Sequence, residues 1–157
     1  MELDSTLLRF DAAGNSNFAN VPRSVRGVAT TADDPDAVYV QVEEDNSIRR
    51  SIDQGETWTV QATDAPAGIL HMNPRDQLHM IIAGYPDINV TFDGGTTWAS
   101  ANIPSGDSEE TIGFQVAFDG GNDDVWSSAT RRTRQSSGEW GLDEWVLMRS
   151  TDGGVTF

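Results

Sequence analysis

Short runs of alternating apolar and polar residues, separated by turn-forming clusters, extend along the whole chain. The most apolar are residues 38–42, 78–83 and 125–129, and each follows a cluster of turn formers: Asp33-Asp34-Pro35-Asp36, Asn73-Pro74-Arg75-Asp76 and Asp119-Gly120-Gly121-Asn122-Asp123. Alternation with period two over so short a run predicts half-buried strands, and the clusters predict the turns between them. No stretch holds the 3.6-residue period of an amphipathic helix. The pattern predicts an all-β chain.

One eight-residue pattern returns three times: Ser51-Ile52-Asp53-Gln54-Gly55-Glu56-Thr57-Trp58, Thr91-Phe92-Asp93-Gly94-Gly95-Thr96-Thr97-Trp98 and Ser150-Thr151-Asp152-Gly153-Gly154-Val155-Thr156-Phe157. A turn recurring at a fixed place in a supersecondary unit marks a repeat architecture. Gly55, Gly95 and Gly154 can take positive φ where the chain reverses, and Asp53, Asp93 and Asp152 can accept hydrogen bonds from turn amides. The threonines then open the next strand, and Trp58, Trp98 and Phe157 can pack between layers. A residue that every repeat demands serves the repeat, so these acids read as structural, as do Ser51, Thr91 and Ser150 beside them.

Asp53 and Asp93 lie 40 residues apart, which suits one four-stranded propeller blade. The first blade is predicted with strand A at 27–31, B at 38–42, C at 47–52 and D at 57–61; the second has 69–72, 78–83, 88–92 and 97–101. Asp152 follows Asp93 by 59 residues, and the 19 extra ones fall between a third strand B at 125–129 and the next strand C. Strand A of that blade is predicted at 114–118. Residues 6–18 read as a worn C–D hairpin. The expected division is therefore a partial blade at 1–20, complete blades at 21–62 and 63–103, and an incomplete blade with a long insertion at 104–157. Such a segment is expected to derive from a longer propeller or to be completed by other copies.

The motif resembles the Asp-box, or BNR repeat, of the β-propellers in sialidases, xyloglucan-cleaving glycosidases, sortilin-type receptors and photosystem assembly factors. The resemblance implies a propeller with its boxes at the C–D hairpins, an extracellular setting, and a ligand site on the opposite face, where B–C and D–A loops gather. The sialidase Arg-Ile-Pro motif is absent from the chain. Two function classes follow: a non-enzymatic module for binding or assembly with a protein or carbohydrate ligand, which is favoured, and a glycoside hydrolase fragment of the xyloglucan-cleaving type or, less favoured, a sialidase. An inverting hydrolase would need two carboxylates roughly 6.5–9.5 Å apart, to which Glu44 or Asp45 could contribute one.

Charge narrows the picture. Asp and Glu number 25 against 10 basic residues, all arginine, for a formal net charge of −15. Small domains usually carry a net charge of roughly 2–8 in magnitude. Two readings compete, an ordinary acidic extracellular protein and adaptation to high salt, where repulsion is screened over about 3 Å at 1 M; acid excess without lysine favours the second. The same field repels phosphate backbones, so nucleic acid is an unfavoured partner. The chain has no cysteine, which excludes disulfides and thiol chemistry, and no cofactor is called for. His71 and His79 fall on adjacent strands of one blade and lack a third ligand, so they read as packing residues and not as a metal site.

The insertion TRRTRQSSGEWGLDEW gathers three arginines within four residues, Arg131, Arg132 and Arg134, and it carries Trp140 and Trp145. Rings stack on sugars or anchor proteins, and arginine pairs carboxylates at two points. These five residues, with Tyr85, Glu44 and Asp45 from the equivalent loops, are the candidate ligand contacts.

Overall fold

The computed structural model describes residues 6–10, 16–20, 24–84, 86–104, 109–141 and 144–157. Its described residues form strands, turns and loops, without helix. Strands β1 (Thr6–Phe10) and β2 (Ser16–Asn20) pair as an antiparallel hairpin. A four-stranded sheet follows in sequence order: β3 (Val25–Ala29), β4 (Val38–Val42), β5 (Ile48–Ser51) and β6 (Thr59–Ala62). The next repeats it with β7 (Ile69–Asn73), β8 (Asp76–Ala83), β9 (Ile88–Thr91) and β10 (Ala99–Ser100). The last has three strands, β11 (Glu109–Phe118), β12 (Val125–Thr133) and β13 (Glu144–Ser150). All neighbours within these sheets are antiparallel. The fold is a β-propeller arrangement of four-stranded antiparallel blades, and each eight-residue repeat turns the chain away from a third strand.

Alternation along the strands sends side chains into two separate interfaces. Met80 and Ile82 of β8 join Tyr39, Ile48, Leu70 and Met72 between the first and second four-stranded sheets. Ile81 and Ala83 point the other way, packing with Ile88, Val90, Val116, Val125 and Ala129 against the third large sheet. The last five residues of β8 are therefore all buried, which explains its unbroken apolar run. Each fully buried Ile or Met contributes about 1.5–3 kcal/mol. Trp58, Trp98 and Phe157 are partly buried and pack on three successive clusters, centred on Val40 and Val42, on the first interface and on the second.

Several boundaries differ from the sequence reading for local reasons. β6 begins at Thr59 because Thr57 is tied back into the hairpin. β10 is only two residues long; Asn102 then leaves to bridge Thr156 in parallel, with Asn102 N–H donating to Val155 O at 2.8 Å and Phe157 N–H to Asn102 O at 3.0 Å. The largest correction concerns the insertion. Residues 130–133 are not loop but continue β12, paired with 109–112 of β11 and, at Thr130 and Arg131, with Trp145 and Glu144 of β13.

Candidate functional site

Each repeat hairpin is closed by the same hydrogen bonds. The Ser51 hydroxyl donates to Asp53 Oδ1 at 2.7 Å and accepts from Gly55 N–H at 2.7 Å, while Thr57 N–H donates to Asp53 Oδ1 at 2.8 Å. Thr91, Asp93, Gly95 and Thr97 reproduce this at 2.7, 3.1 and 2.9 Å, and Ser150, Asp152, Gly154 and Thr156 at 2.6, 2.8 and 2.9 Å. Threonine and serine hydroxyls and the threonine amides hold all three aspartates at pKa values of about 2. Fully ionised and saturated with donors, these carboxylates are poorly suited to proton transfer.

The glycines do more than permit the turn. Gly55, Gly95 and Gly154 have φ of 90°, 92° and 95°, and the residues before them are left-handed too, with Gln54 at 61°, Gly94 at 71° and Gly153 at 73°. A Cβ at Gly95 would stand 2.7 Å from Ala62 Cβ, and one at Gly154 would stand 2.7 Å from Ile81 Cδ1. The second and third hairpins thus seat against the preceding sheet. His79 reinforces the second seat: it is buried, takes its Nδ1 bond from the Asn73 amide at 2.9 Å, and reaches Gly153 O through Nε2 at 2.7 Å. Its ring stacks on Phe92 with centroids 4.4 Å apart. His71 is lowered in pKa by burial. Among the described residues no group of acids and histidines could hold a metal ion.

A second recurrence escaped the sequence reading. Arg50 pairs with Asp34 and lies over the Tyr39 ring at 6.0 Å; Arg149 pairs with Asp124 and lies over the Trp126 ring at 5.6 Å. The available signal was an arginine immediately before the motif's serine, in Arg50-Ser51 and Arg149-Ser150.

The candidate ligand contacts separate into two places. Glu44 and Asp45 sit in the β4–β5 loop of the first four-stranded sheet, with the second sheet between them and the insertion. Asp45 is held at about 2 by the hydroxyl and amide of Ser47 and by Arg49, whose Nη2 donates at 3.1 Å. Tyr85 lies outside the described residues. Arg131, Arg132, Arg134, Trp140 and Trp145 all belong to the third large sheet and its hairpin.

That hairpin is built, not slack. Arg134 bridges Trp140, Gln135 N–H donates to Glu139 O at 2.8 Å, and Gly141 N–H donates to Thr133 O at 2.9 Å. Arg131 pairs with Glu144 at 2.9 Å, and Arg132 stacks over Trp140 at 4.6 Å. Trp145 is opposite Thr130, Leu147 opposite Ser128 and Arg149 opposite Trp126. Alternation therefore puts Trp126, Arg132, Trp145, Leu147 and Arg149 on one face of the sheet, the face turned away from the second interface. Trp145 is 77% exposed and Leu147 71%. Tyr39 and Ile81, at the positions corresponding to Trp126, are 1% and 0% exposed against its 39%, because another sheet covers them.

No family model matches the chain, and no curated protein matches it. Among solved structures, one of YCF48 bound to D1 peptide resembles it with a TM-score of 0.46 and 12% identity, over 98% of this chain and 74% of that one.

Proposed function

We propose that the chain is a non-enzymatic binding or assembly module of the Asp-box propeller kind, and that it holds a protein partner on the outward face of its third large sheet. The observation that carries this reading is the composition of that face. Three tryptophans and a leucine stand exposed beside Arg132 and Arg149, in a chain whose net charge is −15. Tryptophan and arginine dominate the energetic centres of protein interfaces, and contiguous exposed apolar surface marks docking sites. The hairpin acids, fully hydrogen-bonded at the opposite end of the sheets, serve as joints. We place the protein in a high-salt setting, which the acid excess and the absence of lysine support, and the Asp-box resemblance favours an extracellular one.

The test is site-specific photo-crosslinking in host extract at native salt, with the reactive group at Trp145 or, at the hairpin end, at Ile52. A discrete protein adduct is expected from position 145 and not from 52, and unlabelled wild type should compete it away where a Trp140→Ala chain does not. Adducts from position 52 alone, or none from 145, would overturn the reading.

A further inference from the structure

We infer that His79 is an acid-sensitive latch between the second four-stranded sheet and the third large sheet: it holds the third repeat hairpin while its ring is neutral and releases it when the ring takes a second proton. The inference goes beyond the binding reading and stands without it. Both ring nitrogens are committed. Nε2 lies 2.7 Å from Gly153 O, which can only accept, so this nitrogen carries the proton. Nδ1 lies 2.9 Å from Asn73 Nδ2. The orientation of that amide is fixed, because Asn73 Oδ1 accepts Arg75 N–H at 2.9 Å and Nδ2 also donates to Asp123 Oδ1 at 3.4 Å. A donor therefore faces Nδ1, which must be bare. The closed latch accepts one state of the ring, the neutral Nε2–H tautomer.

The seat offers a charged ring nothing in exchange for these bonds. His79 is buried, stacked on Phe92 and edge-on to Phe118 with centroids 5.0 Å apart, and a Cβ on Gly153 would stand 2.9 Å from its Cε1. A proton on Nδ1 would set two donors face to face out of water. The ring must leave its seat to be solvated, and Gly153 O then loses its donor. The device is particular to this joint. By strand pairing, Ala37 in the first four-stranded sheet and Asp124 in the third large sheet correspond to His79; alanine cannot titrate, and Asp124 is paired with Arg149 of its own sheet. The charged groups on the elements around the ring are Arg75 and Asp76 at the β7–β8 turn, Asp93 in the second hairpin, Asp119, Asp123 and Asp124 between β11 and β12, and Arg149 and Asp152 at the third hairpin. Asp93 and Asp152, with pKa values of about 2, keep their charge through mild acid, and Asp123 is paired with Arg75. Carboxylates outnumber arginines there, so a ring that leaves its seat enters a field that favours a cation. Release takes up one proton, and so becomes more favourable by about tenfold for each pH unit below the ordinary imidazole value of about 6.5.

The experiment is hydrogen exchange of the 157-residue chain from pH 8 to about pH 5 at constant high salt, with protection corrected for the intrinsic rate. The amides read are Asn102, which bonds Val155 O across the joint, and Gly154 within the third hairpin. Their protection should fall about thirtyfold across this range, while Gly95 and Thr97 of the second hairpin hold theirs. Nitrogen-15 spectra of the ring at pH 8 should show the Nε2–H tautomer. His79→Gln keeps a donor but cannot titrate, and should abolish the pH dependence. Because that change is buried, Asn73→Asp supplies a second arm that leaves the imidazole in place: its carboxylate accepts from a protonated Nδ1, so the latch should hold at pH 5. An Nδ1–H tautomer at pH 8, third-hairpin protection that ignores pH, or an equal fall at Gly95 and Thr97 would each overturn the latch. So would the wild-type fall persisting in His79→Gln or in Asn73→Asp. Its disappearance in His71→Gln would make the other imidazole the sensor and overturn the assignment as well.

Discussion

Replacing Gly95 by alanine tests the joint between sheets at its tightest point. The new methyl would meet Ala62 Cβ of the preceding sheet at 2.7 Å and Trp98 Cζ2 at 3.4 Å, on a backbone held at φ 92°. Left-handed backbone costs a non-glycine residue about 1–2 kcal/mol, and an extra methyl in a packed contact about 1–3 kcal/mol. Reduced freedom of the unfolded chain returns about 0.4–1 kcal/mol, so a net loss of about 1–5 kcal/mol is expected. That is a large share of a domain's usual ~5–15 kcal/mol. Urea unfolding followed by tryptophan fluorescence at high salt measures it. Gly120→Ala is the control, since a Cβ there meets nothing within 4 Å and should change stability by less than about 0.5 kcal/mol. Equal losses for the two variants, or a Gly95→Ala midpoint matching wild type, would refute the view that the hairpin seats against its neighbour.

Gln54 occupies the left-handed position that Gly94 and Gly153 fill in the other hairpins, so Gln54→Gly should raise stability by up to ~1 kcal/mol, read as an upward shift of the urea midpoint. Asp93 is held near pH 2, below the ~3.9 of an unfolded aspartate, so its stabilisation is complete above about pH 5 and lost as pH falls through about 2. The stability gap between wild type and Asp93→Asn should therefore be widest near neutrality and close toward pH 2, as followed by circular dichroism; a gap independent of pH would contradict the hydrogen-bonded carboxylate. Dilution from about 3 M to 0.1 M KCl should loosen the fold, because repulsion within a net charge of −15 is then screened only beyond about 10 Å. Unchanged fluorescence across that range would count against adaptation to salt.

The repeat hairpins were legible because their chemistry is local: Ser51, Asp53, Gly55 and Thr57 bond within one turn, at spacings visible along the chain. β4 matched its apolar run from Val38 to Val42, which is buried at every residue but the first. β6 and β10 were less legible, since Thr57 and Asn102 are claimed by the hairpin and by the next blade. The insertion misled because its strand residues, Thr130 to Thr133, are polar and basic. Their pairing with 109–112 is a long-range contact that gives no hydrophobic alternation. The grouping of Arg131, Arg132, Arg134, Trp140 and Trp145 was visible as composition, but the shared face was not. It follows from the register of β12 on β13, which brings Trp126 and Leu147 to the same side.

The most direct measurement is the affinity of wild type and Trp140→Ala for the protein cross-linked through position 145. Trp140 is 43% exposed and lies under Arg132, so its loss should weaken binding by about 1 kcal/mol or more, at least fivefold, with an unchanged urea midpoint. Equal affinities would contradict the claim that the outward face of the third sheet is the binding surface.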